Sequence, residues 1–265
     1  MFDLTGKIGL WIHNPGSALG RLHEIQSYGF DYVIIKISDG IKAFHPLATE
    51  NLMKDARSIG LGVVSWSYIY EWADPHAQTE AIVENLIGCD NLVIDAEGDW
   101  ETISGANKAN HLMTSLTQCL SKDISIHLSS FYWPDAHSMF PWDEFLRHCK
   151  SYMPQSYQEG QTNAGIVALR TRDSAMKLAD KSVGGCIIPT INTPELLEMF
   201  IKDINGYDGF SVWLWDGSGN QNSQIANPGD DEGVMGLHGL WIDAIGKIKN
   251  AMKSEMEKKN DKDRD

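Results

Sequence analysis

Among its 265 residues the chain has no run of about 18 apolar residues, so nothing in it is expected to span a membrane. Its opening residues, Met1-Phe2-Asp3-Leu4-Thr5-Gly6-Lys7, lack the basic region, apolar stretch and small-residue cleavage site of a signal peptide. Synthesis in the cytoplasm is the expectation. Positive charge is scarce: 22 Lys and Arg against 36 Asp and Glu leave a formal charge of −14. The last thirteen residues, Lys253 to Asp265, balance five acids with five bases, so the whole excess lies in the body of the protein. Nucleic acid and anionic membranes, which need a basic patch, are not expected partners. Neutral ligands stay open, and so does the oligomeric state.

Cysteine is sparse too. Cys89, Cys119, Cys149 and Cys186 lie about thirty residues apart and form no CxxC pair, which favours buried free thiols over a disulfide framework or a zinc site. There is no HExxH and no Cys/His cluster. Metal-dependent barrel hydrolases usually carry two close histidines on the first strand, and Trp11-Ile12-His13-Asn14 supplies one. No metal and no cofactor are expected. No Gly-x-Ser-x-Gly elbow or P-loop is present.

What the chain has is a rhythm. Apolar, β-branched runs recur at Lys7–Asn14, Asp31–Asp39, Leu61–Trp72, Asn91–Glu97, Ile124–Tyr132, Ser151–Gln158, Cys186–Asn192 and Gly209–Asp216, with amphipathic stretches between them. Their starts are 23 to 35 residues apart, one strand plus one helix each time. Asp74-Pro75 and Thr193-Pro194 read as helix N-caps followed by proline at the first helical position. Gly29, Gly60, Gly88, Gly184 and Gly206 fall where helices should stop. Eight such units predict a single (β/α)8 TIM barrel over residues 1–252, followed by a charged tail, 253–265, that frays from the last helix. A doubly wound open sheet is the rival. It should carry G-x-G-x-x-G after its first strand, and Asn14-Pro15-Gly16-Ser17-Ala18-Leu19-Gly20 does not.

The fourth strand, Asn91-Leu92-Val93-Ile94-Asp95-Ala96-Glu97, ends in two carboxylates spaced i, i+2. Side chains alternate along a strand, so both acids project to one side, roughly 6.6 Å apart along the backbone. Two acids in one semi-enclosed pocket repel, which drives their proton affinities apart and suits one to donate while the other stays ionised. Asp99 and Glu101, which follow, read as surface.

In such barrels the active site is built at the C-terminal strand tips. The tips supply His13 and Asn14; Lys36 and Asp39; Trp66, Tyr68, Tyr70, Glu71 and Trp72; Asp95 and Glu97; His127, Ser129, Tyr132 and Trp133; Gln155 and Tyr157; Thr190 and Asn192; and Trp213, Trp215 and Asp216. Aromatic platforms edged by amides and carboxylates suit a sugar, whose rings offer apolar C–H faces ringed by hydroxyls. Aromatics in strands are as often core as platform. Lys36, inside an apolar strand, is costly to bury unpaired, and Asp95 or Asp216 are its natural partners.

Tyr32-Val33-Ile34-Ile35-Lys36-Ile37-Ser38-Asp39-Gly40 resembles the second-strand segment of the glycoside hydrolase family 25 lysozymes, which cleave peptidoglycan. Val93-Ile94-Asp95-Ala96-Glu97 resembles that family's Asp-x-Glu, and Trp213-Leu214-Trp215 its last strand. The family has an Asp near its first strand's tip, where this chain has His13-Asn14, and often an acid on strand six, where it has Gln155 and Tyr157. Met153-Pro154-Gln155-Ser156-Tyr157 looks more like glycosidase-type barrels of uncharacterised and phage-associated proteins. The resemblance implies a diverged relative of the lysozyme-like barrels, acting on N-acetylated cell-wall polysaccharide, released or carried on a virion. Glu97 would be the general acid and Asp95 its assistant; His13, Lys36, Trp66, Tyr68, Tyr70, His127, Gln155, Tyr157, Asn192, Trp213, Trp215 and Asp216 would bind substrate. A glycan-binding barrel without catalysis is the alternative, and a metal-dependent amidase a third.

Overall fold

The computed structural model describes residues 2–158, 162–215 and 234–262. Eight strands are all parallel and close on themselves: β1 (Ile8–Ile12), β2 (Tyr32–Asp39), β3 (Gly62–Tyr68), β4 (Asn91–Asp95), β5 (Ser125–Phe131), β6 (Ser151–Ser156), β7 (Cys186–Ile187 and Thr190–Ile191) and β8 (Phe210–Trp215). Each pairs with its neighbours in sequence, and β8 pairs with β1 to shut the ring. The chain is a (β/α)8 TIM barrel.

The strands form because Val, Ile and Leu fill both their faces. One set, including Leu10, Val33, Ile35, Leu92, Ile94 and Leu128, packs outward against the helices, while Trp11, Ile34, Val64, Trp66, Val93 and Met153 fill the barrel's interior. Trp11, Trp66 and Trp213 meet edge-to-face at 5.3 to 6.0 Å between ring centroids, each pair adding about 0.5–1.5 kcal/mol beyond its buried area. Gly9 makes room inside: a Cβ there would stand 2.2 Å from the Tyr32 ring.

The helices start where the caps lie. Asp74 accepts from Ala77 N at 2.9 Å to open Pro75–Asn85, and Thr193 accepts from Leu196 N at 3.2 Å to open Pro194–Phe200. After Leu22–Ser27 the chain reverses at Gly29, whose φ of +94° is a left-handed conformation that a Cβ would strain. The closing helix runs Val234–Lys262, so residues 253–262 continue it. At the barrel's base Asn91 Nδ2 donates to Phe2 O at 3.0 Å, and Leu4 enters the interior cluster, so the N-terminal segment stoppers the end opposite the strand tips. Among the described residues no helix is long and apolar enough to cross a membrane. All four cysteines are free, but Cys119 is exposed on its helix and Cys186 is only half-buried, so the expectation of buried thiols holds for Cys89 and Cys149 alone.

Candidate functional site

Beyond β4 the chain stays extended for two more residues, because Ala96 N donates to Ser129 O on β5 at 3.1 Å and the Ala96 methyl is buried toward the helices. Glu97, with φ −129° and ψ −153°, therefore keeps the alternation and faces the same side as Asp95. One donor meets both acids. Gln155, on β6 across the mouth, places Nε2 2.8 Å from Asp95 Oδ1 and 3.1 Å from Glu97 Oε1, with Ser129 Oγ also at 3.1 Å. The two carboxylate oxygens can lie no farther apart than those two bonds laid end to end.

The acids differ in depth. Asp95 is buried, while Glu97 is half-exposed with Tyr68 Oη donating to its Oε2 at 3.4 Å. Burial, and next the charge of Glu97, raise the proton affinity of Asp95 well above the carboxylate range; Ser129, Lys36 and Gln155 pull weakly the other way. Around the pair the medium is apolar enough to push the Tyr68 hydroxyl up strongly, through burial first and Glu97 second.

Lys36 points into the interior and is almost fully buried, and among the described residues its carboxylate partner is Asp39 rather than Asp95. Its Nζ binds Asp39 Oδ2 at 2.9 Å and sits 4.6 Å over the Phe44 ring and 4.8 Å over Trp66. The reason is local. The β2–β3 register slips between Lys36 and Ser38, so strict alternation breaks and a residue three positions on returns to the same side. Asp39 also accepts from Tyr70 Oη at 2.7 Å. Partial burial would raise Asp39, but the Lys36 and Tyr70 bonds outweigh it and hold this carboxyl below its usual value.

Glu71 is similarly occupied: its Oε1 accepts from Thr102 at 3.1 Å and from Ser104, with Lys108 Nζ at 3.2 Å. Neither Asp39 nor Glu71 is free to act as a second acid across the mouth.

The remaining residues divide. His13 is half-buried at the rim, 5.3 Å from the Phe44 ring and 6.2 Å from Trp66. Trp66 lies deeper, buried beneath the mouth as interior packing. Trp213 stands above it and faces Tyr157 at 6.1 Å, so these two rings line the side opposite Tyr68. Asn192 has a structural task, accepting from Gln158 N at 2.8 Å and donating to Gln158 O at 3.3 Å, which pins the loop after β6. For Trp215 only the strand position is described, and Asp216 lies outside the described residues.

His127 was expected among the tips and is not there. It is buried near the start of β5, with Nδ1 2.6 Å from Ser151 Oγ and Nε2 3.0 Å from Asn91 Oδ1, both at the first residues of their strands. That is the stoppered base. Asp99, expected at the surface, is half-buried and accepts from Glu71 N at 2.9 Å. Phe44, which roofs Lys36, was not anticipated; the two-residue ribbon Lys42–Ala43 that folds back on β2 delivers it. Among the described residues no group of three His, Cys, Asp or Glu could hold a metal ion.

No family model and no curated protein matches the sequence. Solved structures do resemble it. Active domain 2 of a thermostable chitinase from Pyrococcus furiosus superposes with a TM-score of 0.64 at 9% identity, over 92% of this chain and 96% of that one. A chitinase from Ipomoea carnea gives 0.58 at 13% identity, over 92% and 99%. A family 25 glycosyl hydrolase from Bacillus anthracis reaches 0.45 at 15% identity over 58% of this chain and 72% of its own, too slight a likeness to argue from. At such identities the likeness shows the barrel and nothing finer.

Proposed function

We propose that this protein is a glycoside hydrolase acting on an N-acetylated polysaccharide of the cell-wall type, with Glu97 as general acid and Asp95 assisting. The observation that carries the proposal is the shared donor: Gln155 holds a buried and a half-exposed carboxylate side by side at the mouth of a barrel lined by Tyr68, Trp213 and Tyr157. Retaining hydrolysis by two carboxylates needs them on opposite sides of the scissile bond, about 5–5.5 Å apart. Here both leave the same strand, and among the described residues Asp39 and Glu71 are committed to Lys36, Tyr70, Ser104 and Lys108. Substrate assistance resolves this.

Glu97 protonates the leaving glycosidic oxygen as the C1–O bond breaks, and the sugar's own 2-acetamido oxygen forms the new bond to C1. Asp95 and the Tyr157 hydroxyl orient the acetamido group. Water then attacks C1, gives its proton to the Glu97 carboxylate, and releases the acetamido group with retention at C1. The test is release of reducing ends from peptidoglycan and from N-acetylglucosamine oligomers, each beside its de-N-acetylated form. Cleavage confined to the acetylated chains supports the proposal. Equal cleavage of both forms removes substrate assistance, and binding without any cleavage selects a non-catalytic glycan-binding barrel.

A further inference from the structure

The rim after β3 carries a large apolar ring that packing does not explain. Trp72 is 68% exposed, although Trp is a residue that proteins usually cover. It is not isolated. Its ring centroid is 5.0 Å from Tyr70, and Tyr70 is 4.8 Å from Tyr68, whose hydroxyl meets Glu97. Three aromatic rings thus form a continuous wall that starts at the carboxylate pair and climbs over the lip of the barrel into solvent.

This wall is held rigidly. Gln78 donates to Tyr70 O at 3.0 Å and accepts from Tyr70 N at 2.8 Å, which fixes the middle of the segment. Trp100 Nε1 donates to Ile69 O at 3.1 Å. Glu71, between the two outer rings, is tied at every polar group: its amide to Asp99, its carbonyl to Lys108 at 2.9 Å, and its carboxylate to Thr102, Ser104 and Lys108. These bonds fix the backbone that leads into Trp72, whose ring rests beside Tyr70. An exposed aromatic face on a fastened backbone, continuous with an aromatic-lined cleft, loses little entropy when a pyranose ring lies on it.

We propose that Tyr70 and Trp72 form an outer binding platform, so that the substrate is a long polysaccharide chain running from the cleavage point over the β3 rim rather than a disaccharide held within the mouth. This rests on the reading of the mouth as a glycan site. Each ring step outward adds a contact only a longer chain can reach. Length of substrate, and not its reducing end alone, then sets affinity.

The test uses the full chain carrying Glu97→Gln, so that ligand is not consumed, and calorimetric titration with N-acetylglucosamine oligomers of two and of six units. The six-unit oligomer is expected to bind at least about tenfold more tightly than the two-unit one. Adding Trp72→Ala should cut that ratio to about threefold or less, and Trp72→Phe should restore most of it. Because Trp72 is mostly exposed, its replacement leaves the core intact. A length ratio equal with and without Trp72, or no dependence on length at all, overturns the platform while leaving the mouth as a glycan site. Failure of both oligomers to bind overturns the glycan reading, and the platform with it.

Discussion

Gln155 Nε2 donates to Asp95 Oδ1 at 2.8 Å, joining β6 to β4 across the mouth of the barrel. The same nitrogen reaches Glu97, so one neutral amide sets the spacing of two acids that would otherwise repel. It can do this without adding charge, which an acid at this place could not.

Replacing the amide should therefore disturb both position and protonation. In Gln155→Leu the carboxylates lose their shared donor, and kcat/KM for a soluble N-acetylated oligosaccharide is expected to fall about 10²-fold. A hydrogen bond to an ionised carboxylate lowers its pKa, so losing this one raises Asp95 further. The limb of the pH–rate profile that reports Asp95 should move upward. A variant with unchanged kcat/KM and an unmoved profile would remove Gln155 from the site.

Asp95 should cost the fold stability at neutral pH. Its folded-state proton affinity is raised by burial and by Glu97, so above the unfolded value of 3.8 the folded chain holds more protons than the unfolded one. Stability contributed by this group is present below pH 3.8 and declines as pH rises through the folded-state value. Asp95→Asn has no proton to lose. It is expected to melt a few degrees higher at pH 7, and level with the wild type in acid, while losing most activity. Calorimetry across pH checks this; a lower melting point at neutral pH would contradict it.

His127 predicts the opposite slope. Burial, and next the charge of Lys150, push it down from 6.5 to about 3, so it stays neutral in the folded chain where the unfolded chain would take a proton. Its contribution is intact above pH 6.5 and is lost as pH falls toward about 3. Between pH 7 and about 4.5, His127→Asn should lose roughly 2 kcal/mol less in urea unfolding than the wild type. Hydrolysis at neutral pH should be unaffected in the fraction that folds, because this side chain sits at the base. An equal acid loss in both proteins would contradict the buried neutral state.

Much of this was legible in the chain itself. Strand positions followed from runs of Val, Ile and Leu, and the shared side of Asp95 and Glu97 from a period of two that Ala96 preserves by burying its methyl on the helix face. Three features were not legible. Depth along a strand depends on the barrel's stagger, which local pattern does not encode, so His127 was placed at the wrong end. The slip between Lys36 and Ser38 breaks alternation, which hid Asp39 as the partner of Lys36. The raised affinity of Asp95 depends on how deeply it is buried, and only the packed barrel gives that.

The most direct test is hydrolysis of an N-acetylglucosamine hexamer by wild type and by Glu97→Gln, followed by reducing ends and by the anomer first released. The wild type is expected to cleave with retained configuration, and the variant to lose about 10³-fold in kcat while still binding the oligomer. Equal rates in the two proteins would contradict the assignment of Glu97 as the acid.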